Sequence, residues 1–153
     1  AQLARTQYQV AGIGDNYDET TGRFTEGGIS QLRKVEVTWN RYLALDPKKP
    51  DDNVASLMVQ AFGPAGLNKP DAAVTAQEIV VDARPSANAF TQLAIFAYQA
   101  GQTRKGDLAT EKALEMTDKD LRGTLKERLK QAKEIGAGGG GETTTTPSIN
   151  PEG

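Results

Sequence analysis

Few residues in this chain could do covalent or acid–base chemistry. It holds no His and no Cys, so the commonest general base, the thiolate nucleophile and the soft metal ligands are all missing. Activation of water or a hydroxyl would fall to Lys, Asp, Glu or Tyr, and no spacing gathers these into a base and a nucleophile. Asp107 and Glu111 share a helix face, an arrangement that solvated helix surfaces show routinely. Gly12-Ile13-Gly14 lacks the third glycine, the preceding strand and the following helix of a dinucleotide loop, and the run Gly138 to Gly141 lacks a phosphate-binding Lys. Asp15, Asn16, Asp18 and Glu19 offer oxygens, but not in the alternation that wraps a calcium ion. The expectation is no catalytic residue, no metal and no cofactor.

Charge points the same way. A basic stripe of Arg122, Lys126, Lys130 and Lys133 falls on adjacent helical turns, yet Asp118, Asp120, Glu127 and Glu134 are interleaved with it. The net charge is -2, so nothing draws the chain generally to nucleic acid or an anionic membrane, and protein or peptide partners are expected instead. With 153 residues, 37% of them hydrophobic and 25% charged, one modest domain is expected, and no apolar run is long enough to span a membrane.

The elements that must position any site read as helix after helix. Thr25 is a predicted N-cap, with Phe24 before it and Ile29 inside forming a hydrophobic staple. The helix it opens is expected over Glu26 to Leu45, with Leu32, Val35, Trp39, Tyr42 and Leu43 making one apolar stripe until Pro47 and Pro50. Asp51 or Asp52 caps a second helix carrying Val54, Leu57, Met58 and Ala61, broken at Gly63 and Pro64. Pro70 suits the first position of a third, which runs through Ala73, Val74, Gln77, Val80 and Val81 to Pro85. Ser86 caps a fourth that reaches Ala100, and Gly101 supplies a left-handed stop. Thr103 opens a fifth, ending near Met116, and Asp118 caps a sixth that sets Leu121, Leu125, Leu129, Ala132 and Ile135 on one side until Gly136. No strand is expected in the body; the exception is Tyr17 to Thr25, where Thr21-Gly22 could turn a short hairpin.

The spacing of Phe90, Leu93, Ala94 and Ala97, with Gly101 as stop and Gly106 and Ala113 on the next helix, resembles a tetratricopeptide repeat. Such repeats pair two antiparallel helices over about 34 residues. Phe90 matches the opening aromatic, Leu93 the leucine, Ala94 the small residue, and Ala113-Leu114 the pair near the second helix's end. The preceding unit is looser: Val54 and Leu57 match, but Met58 stands where a small residue belongs. The interval from Trp39 to Pro47 recurs from Gln77 to Pro85, whereas Thr110 to Asp118 lacks both aromatic and proline. The resemblance implies an all-α, right-handed superhelix of about two full repeats plus a preceding helix and a C-terminal capping helix. Residues 25–136 form that domain, residues 1–24 a partly ordered N-terminal segment, and residues 137–153 a disordered Gly/Thr-rich tail.

In this family the first helix of each pair lines a concave groove that holds peptides or partner helices. The matched register places Asp52, Ala55, Ser56, Val59 and Phe62 on that lining, followed by Asn88, Thr91, Gln92, Ile95, Tyr98 and Gln99. Phe62 and Tyr98 are implied either as anchors for apolar partner side chains or as rings packed between repeats, with Gln92, Gln99 and Asn88 bonding a peptide backbone. Only Asn88 could answer a C-terminal carboxylate, so chaperone-tail binding is not expected. The function implied is a non-catalytic protein-binding scaffold. The alternative is a structural or oligomerising soluble segment of a larger bacterial protein, since envelope-associated repeat proteins look similar. Ala1 in place of Met suggests a trimmed chain, which leaves an upstream membrane anchor open.

Overall fold

The computed structural model describes residues 1–138. Helix α1 (Gln2–Ala11) leads through a 3₁₀ turn (Gly14–Asn16) into strands β1 (Tyr17–Asp18) and β2 (Arg23–Phe24). Six further helices follow: α2 (Glu26–Leu43), α3 (Asp52–Phe62), α4 (Pro70–Ala83), α5 (Ala87–Gln99), α6 (Thr103–Glu115) and α7 (Lys119–Gly138). Among the described residues the chain is mostly helical, with one small antiparallel ribbon in which Tyr17 faces Phe24 and Asp18 faces Arg23.

Local chemistry accounts for most boundaries. Thr25 caps α2 by accepting from the Gly28 amide, Asp51 caps α3 by accepting from Asn53 and Val54, and Ser86 caps α5 by accepting from Ala89. Each satisfies amides that the first turn leaves without partners. Pro70 occupies the start of α4, and Gly101 adopts φ +71 just past α5. Helix α2 stops at Leu43, short of the expected Leu45, because Asp46 turns to φ 50 and leaves Leu45 exposed. Gly136 does not stop α7, which continues to Gly138. Its role is close approach, since a methyl group there would overlap the Tyr98 backbone carbonyl. The tail expected over 137–153 lies outside the described residues apart from Ala137 and Gly138, which belong to α7.

Helices pack in sequential pairs: α1 with α2, α3 with α4, α5 with α6, and α7 across α5 and α6. The pairs meet through α1 against α3 and α4 against α5. The helix expected to precede the first full pair therefore has a partner. That partner, α1, comes from the segment 1–24 that the sequence places outside the helical domain, and it contributes the fully buried Ala4 and Ala11.

Two cores result. The first joins Ala4, Leu32, Val35, Trp39, Val54, Met58, Phe62, Ala73 and Ala76; the second joins Val74, Val81, Leu93, Ala94, Tyr98, Ala113 and Leu129. Helix α4 contributes to both. The stripe expected along α7 is only partly covered: Leu129 is buried, Leu125 and Ala132 half-buried, while Leu121 and Ile135 remain 60% and 72% exposed. No helix among the described residues is long and apolar enough to cross a membrane.

Candidate functional site

Helices α3 and α5 present one face to an open recess of about 550 Å³, walled by Val59 and Gln60 of α3, Gln92, Ile95 and Phe96 of α5, and the turn at Gly63 to Ala65. Its remaining wall comes from the N-terminal segment, through Tyr8 of α1, Gly12 just past it, and Tyr17 and Phe24 of the ribbon. That wall is fixed by backbone bonds: the Phe24 amide donates to the Ala65 carbonyl at 3.3 Å, and the Thr25 amide to the Asn16 carbonyl at 3.0 Å. Gly28 allows the approach, because a methyl there would overlap the Asn16 carbonyl oxygen. Phe24 meets Tyr17 and Tyr8 edge-on, with ring centroids at 5.2 and 6.3 Å, an arrangement favoured by the quadrupoles of the rings.

The chemistry of this recess is apolar and uncharged. No Asp, Glu, Lys or Arg is among its wall residues. The Tyr8 hydroxyl donates to Gln60 Oε1 at 3.0 Å, which leaves the Gln60 amide nitrogen as the outward donor. Burial is the main cause that raises the Tyr8 phenol above its ordinary value, with nearby Tyr17 adding to it. The hydroxyl therefore stays protonated and keeps donating.

A second recess of about 490 Å³ adjoins the first and shares Val59, Gln60 and Gln92 with it. Its other residues are more polar, including Ser56, Gln77, Arg84, Ser86 and Asn88. The Arg84 guanidinium is neutralised there, with Nε 2.7 Å from Asp52 Oδ2 and Nη2 donating to Ser56 Oγ at 3.1 Å. Gln77 is buried and donates to the Ala89 carbonyl at 2.9 Å, tying α4 to α5. Together the recesses make one elongated trough along α3 and α5, apolar at one end and polar at the other.

The expected lining residues divide between this trough and the core. Ser56, Val59, Asn88, Gln92 and Ile95 line it. Phe62 and Tyr98 do not: they are 1% and 3% exposed and belong to the first and second cores. Ala55 is fully buried, and Thr91 is buried with its hydroxyl donating to the Ala87 carbonyl. Gln99 is exposed but outside both recesses, and Asp52 stands behind as the partner of Arg84. The aromatic rings that do face the trough, Tyr8, Tyr17, Phe24 and Phe96, carried no signal in the repeat register, because most of them come from the segment preceding it.

Tyr98 has a different task. Its hydroxyl donates to Asp107 Oδ1 at 2.9 Å and lies 3.0 Å from Thr110 Oγ1, while Lys133 Nζ reaches Asp107 Oδ1 and Oδ2 at 2.7 and 2.9 Å. The ammonium also sits 5.9 Å from the Tyr98 ring centroid. This cluster fastens α7 to α5 and α6. The hydrogen bonds from Lys133 and then from Tyr98 hold the Asp107 carboxyl below its usual range. One member of the basic stripe is thus bound internally, and Arg122 likewise donates to the Thr117 carbonyl. The acidic run before α2 is also used locally: Asp18 accepts from the Thr20 and Thr21 amides and the Thr21 hydroxyl. Among the described residues no three His, Cys, Asp or Glu side chains gather closely enough to hold a metal ion. Comparison of the chain with protein-family models, curated proteins and solved structures gives no match.

Proposed function

We propose that this protein is a non-catalytic interaction module of tetratricopeptide-like design, holding an extended segment of another protein along the trough between α3 and α5. The observation that carries this reading is the trough itself. It is lined by the first helices of two successive helix pairs, it presents the exposed Gln92 and the half-buried Ile95 beside amide donors, and it is open along its length. A peptide backbone needs donors and acceptors spaced along a strip, with pockets for alternate side chains, and Gln60, Gln92 and Asn88 supply that strip. Gln92 is exposed and shared by both recesses, so Gln92→Trp obstructs the trough without touching either core. Capture from native lysate with wild type beside Gln92→Trp tests the reading: a partner retained by the variant at unchanged helicity refutes it.

A second reading, an oligomerising segment of a larger bacterial protein, rests on the uncovered flank of α7, where Leu121 and Ile135 stand out in solvent. Light scattering separates the two. A monomer whose trough binds peptide favours capture, and a dimer lost on Leu121→Glu favours assembly.

A further inference from the structure

We infer that the end of the trough enclosed by α1 and the β1–β2 ribbon is a socket for one bulky apolar side chain, aromatic by preference, carried on an uncharged stretch of the partner peptide. This inference rests on the peptide-binding reading of the trough and adds the chemistry of the partner.

Three observations carry it. The socket offers about 550 Å³, the scale of a drug-sized ligand and so room for a bulky side chain together with its flanking backbone, and four aromatic rings from α1, the ribbon and α5 line it. Edge-to-face pairs already join Phe24 to Tyr8 and Tyr17, so an entering ring finds both faces and edges to pack against. The wall is also uncharged. A Lys, Arg, Asp or Glu side chain entering it would lose hydration with no counter-ion to replace it, so charged anchors are rejected.

The third observation is continuity. The socket and the polar recess lie side by side and share Val59, Gln60 and Gln92 as lining residues, so an occupant that fills both must be elongated, as a peptide is and a compact metabolite is not. Gln60, with its carbonyl oxygen held by the Tyr8 hydroxyl at 3.0 Å, and Gln92 stand at the junction. They are placed to bond the backbone on either side of the anchor. The Arg84 charge beyond is already matched by Asp52, so the polar end asks for hydroxyl or amide side chains and not for an acidic residue.

The experiment is selection of random displayed peptides on the full chain, followed by binding measurements on wild type, Ala65→Glu and Gln92→Trp, with helicity checked for each. Ala65 is exposed on the socket wall, so the glutamate places a carboxylate at the socket without altering a core. The expected result is a consensus with one Trp, Phe, Tyr or Leu among uncharged residues. Replacing that anchor by Ala weakens binding about thirtyfold, the scale of an interface hot spot, and both protein variants lose binding to a similar degree. Peptides that lose binding on Gln92→Trp but lack a bulky apolar residue, or bind Ala65→Glu unchanged, overturn the socket while leaving the trough as a peptide site. No enriched peptide, or peptides indifferent to Gln92→Trp, overturns both. Selected peptides that copy a stretch of this chain, together with a dimer abolished by Ala65→Glu, replace the partner by a second copy and overturn the inference.

Discussion

Tyr98 is the most revealing residue to perturb, because its ring fills the gap between α5 and α6 that Gly106 leaves open. A methyl group at Gly106 would lie 2.5 Å from Tyr98 Cδ1 and 2.9 Å from Cζ, and still closer to Cε1. Gly106→Ala therefore has two opposed effects. In a helix interior Ala is better than Gly by about 1 kcal/mol, while forcing extra volume into a packed core costs about 1–3 kcal/mol. The net expectation is a loss of up to about 2 kcal/mol on the difference of those two terms. Tyr98→Ala alone removes a ring that is 3% exposed and should cost about 3–5 kcal/mol, as aromatic truncations in cores do. In the Tyr98→Ala background the steric conflict disappears, so Gly106→Ala should change sign and stabilise by about 0.5–1 kcal/mol. Urea unfolding followed by far-ultraviolet circular dichroism on the four proteins of this cycle gives each term, provided the slopes match. If Gly106→Ala stabilises both backgrounds equally, the ring does not occupy the α5–α6 gap and the assignment of Tyr98 to the core is wrong.

Three further outcomes follow from the same geometry. Ser86→Ala removes the oxygen that receives the Ala89 amide and should cost about 1 kcal/mol of stability, measured as a shift of the urea midpoint. Asp107 has a folded pKa held below its ordinary value, so the stability it contributes is complete above about pH 4, the range of the unfolded carboxyl, and is lost as pH falls through the lower folded value. The stability gap between wild type and Asp107→Asn should accordingly shrink on acidification below that range, and a gap that widens would reverse the assignment. Removing residues 1–24 strips Ala4, Ala11, Tyr8 and Phe24 from the first core; the shortened chain should bind a hydrophobic dye and lose peptide binding, even though α2–α7 keep their sequences.

What could be read from the residues alone follows a physical division. Caps and breakers act over a few positions, so Thr25, Ser86, Pro70 and Gly101 announce their boundaries directly. Helix α1 escapes the same reading because its inward residues are Ala4 and Ala11, while its larger Leu3 and Val10 are 61% and 48% exposed. Close contact through small side chains leaves little hydropathy signal. Ala1, before it, offers no capping side chain either. The ribbon is announced only by its turn, Thr21-Gly22, where Gly22 takes φ 66; with two residues per strand, its position is set by the bond from Phe24 to Ala65 rather than by alternation. At the site, the repeat register finds the trough residues Ser56, Val59, Asn88, Gln92 and Ile95. It leaves Phe62 and Tyr98 undecided between trough and core, because the face toward the trough and the face toward the neighbouring helix are adjacent stripes. Which stripe takes a ring depends on gaps such as the one at Gly106, and those exist only once the helices are assembled.

Helix α4 sits astride the division between the two cores, giving Ala73 and Ala76 to one and Val74 and Val81 to the other. Neither half can melt without unseating a helix that the other half also needs, so the described chain should lose its structure in one cooperative step and not as a stack shedding units from its ends. Amide protons of α4 would then exchange only through global unfolding. Any ligand gripping the N-terminal half would raise the protection of α5 to α7 as well, carrying its stabilisation to elements it never touches.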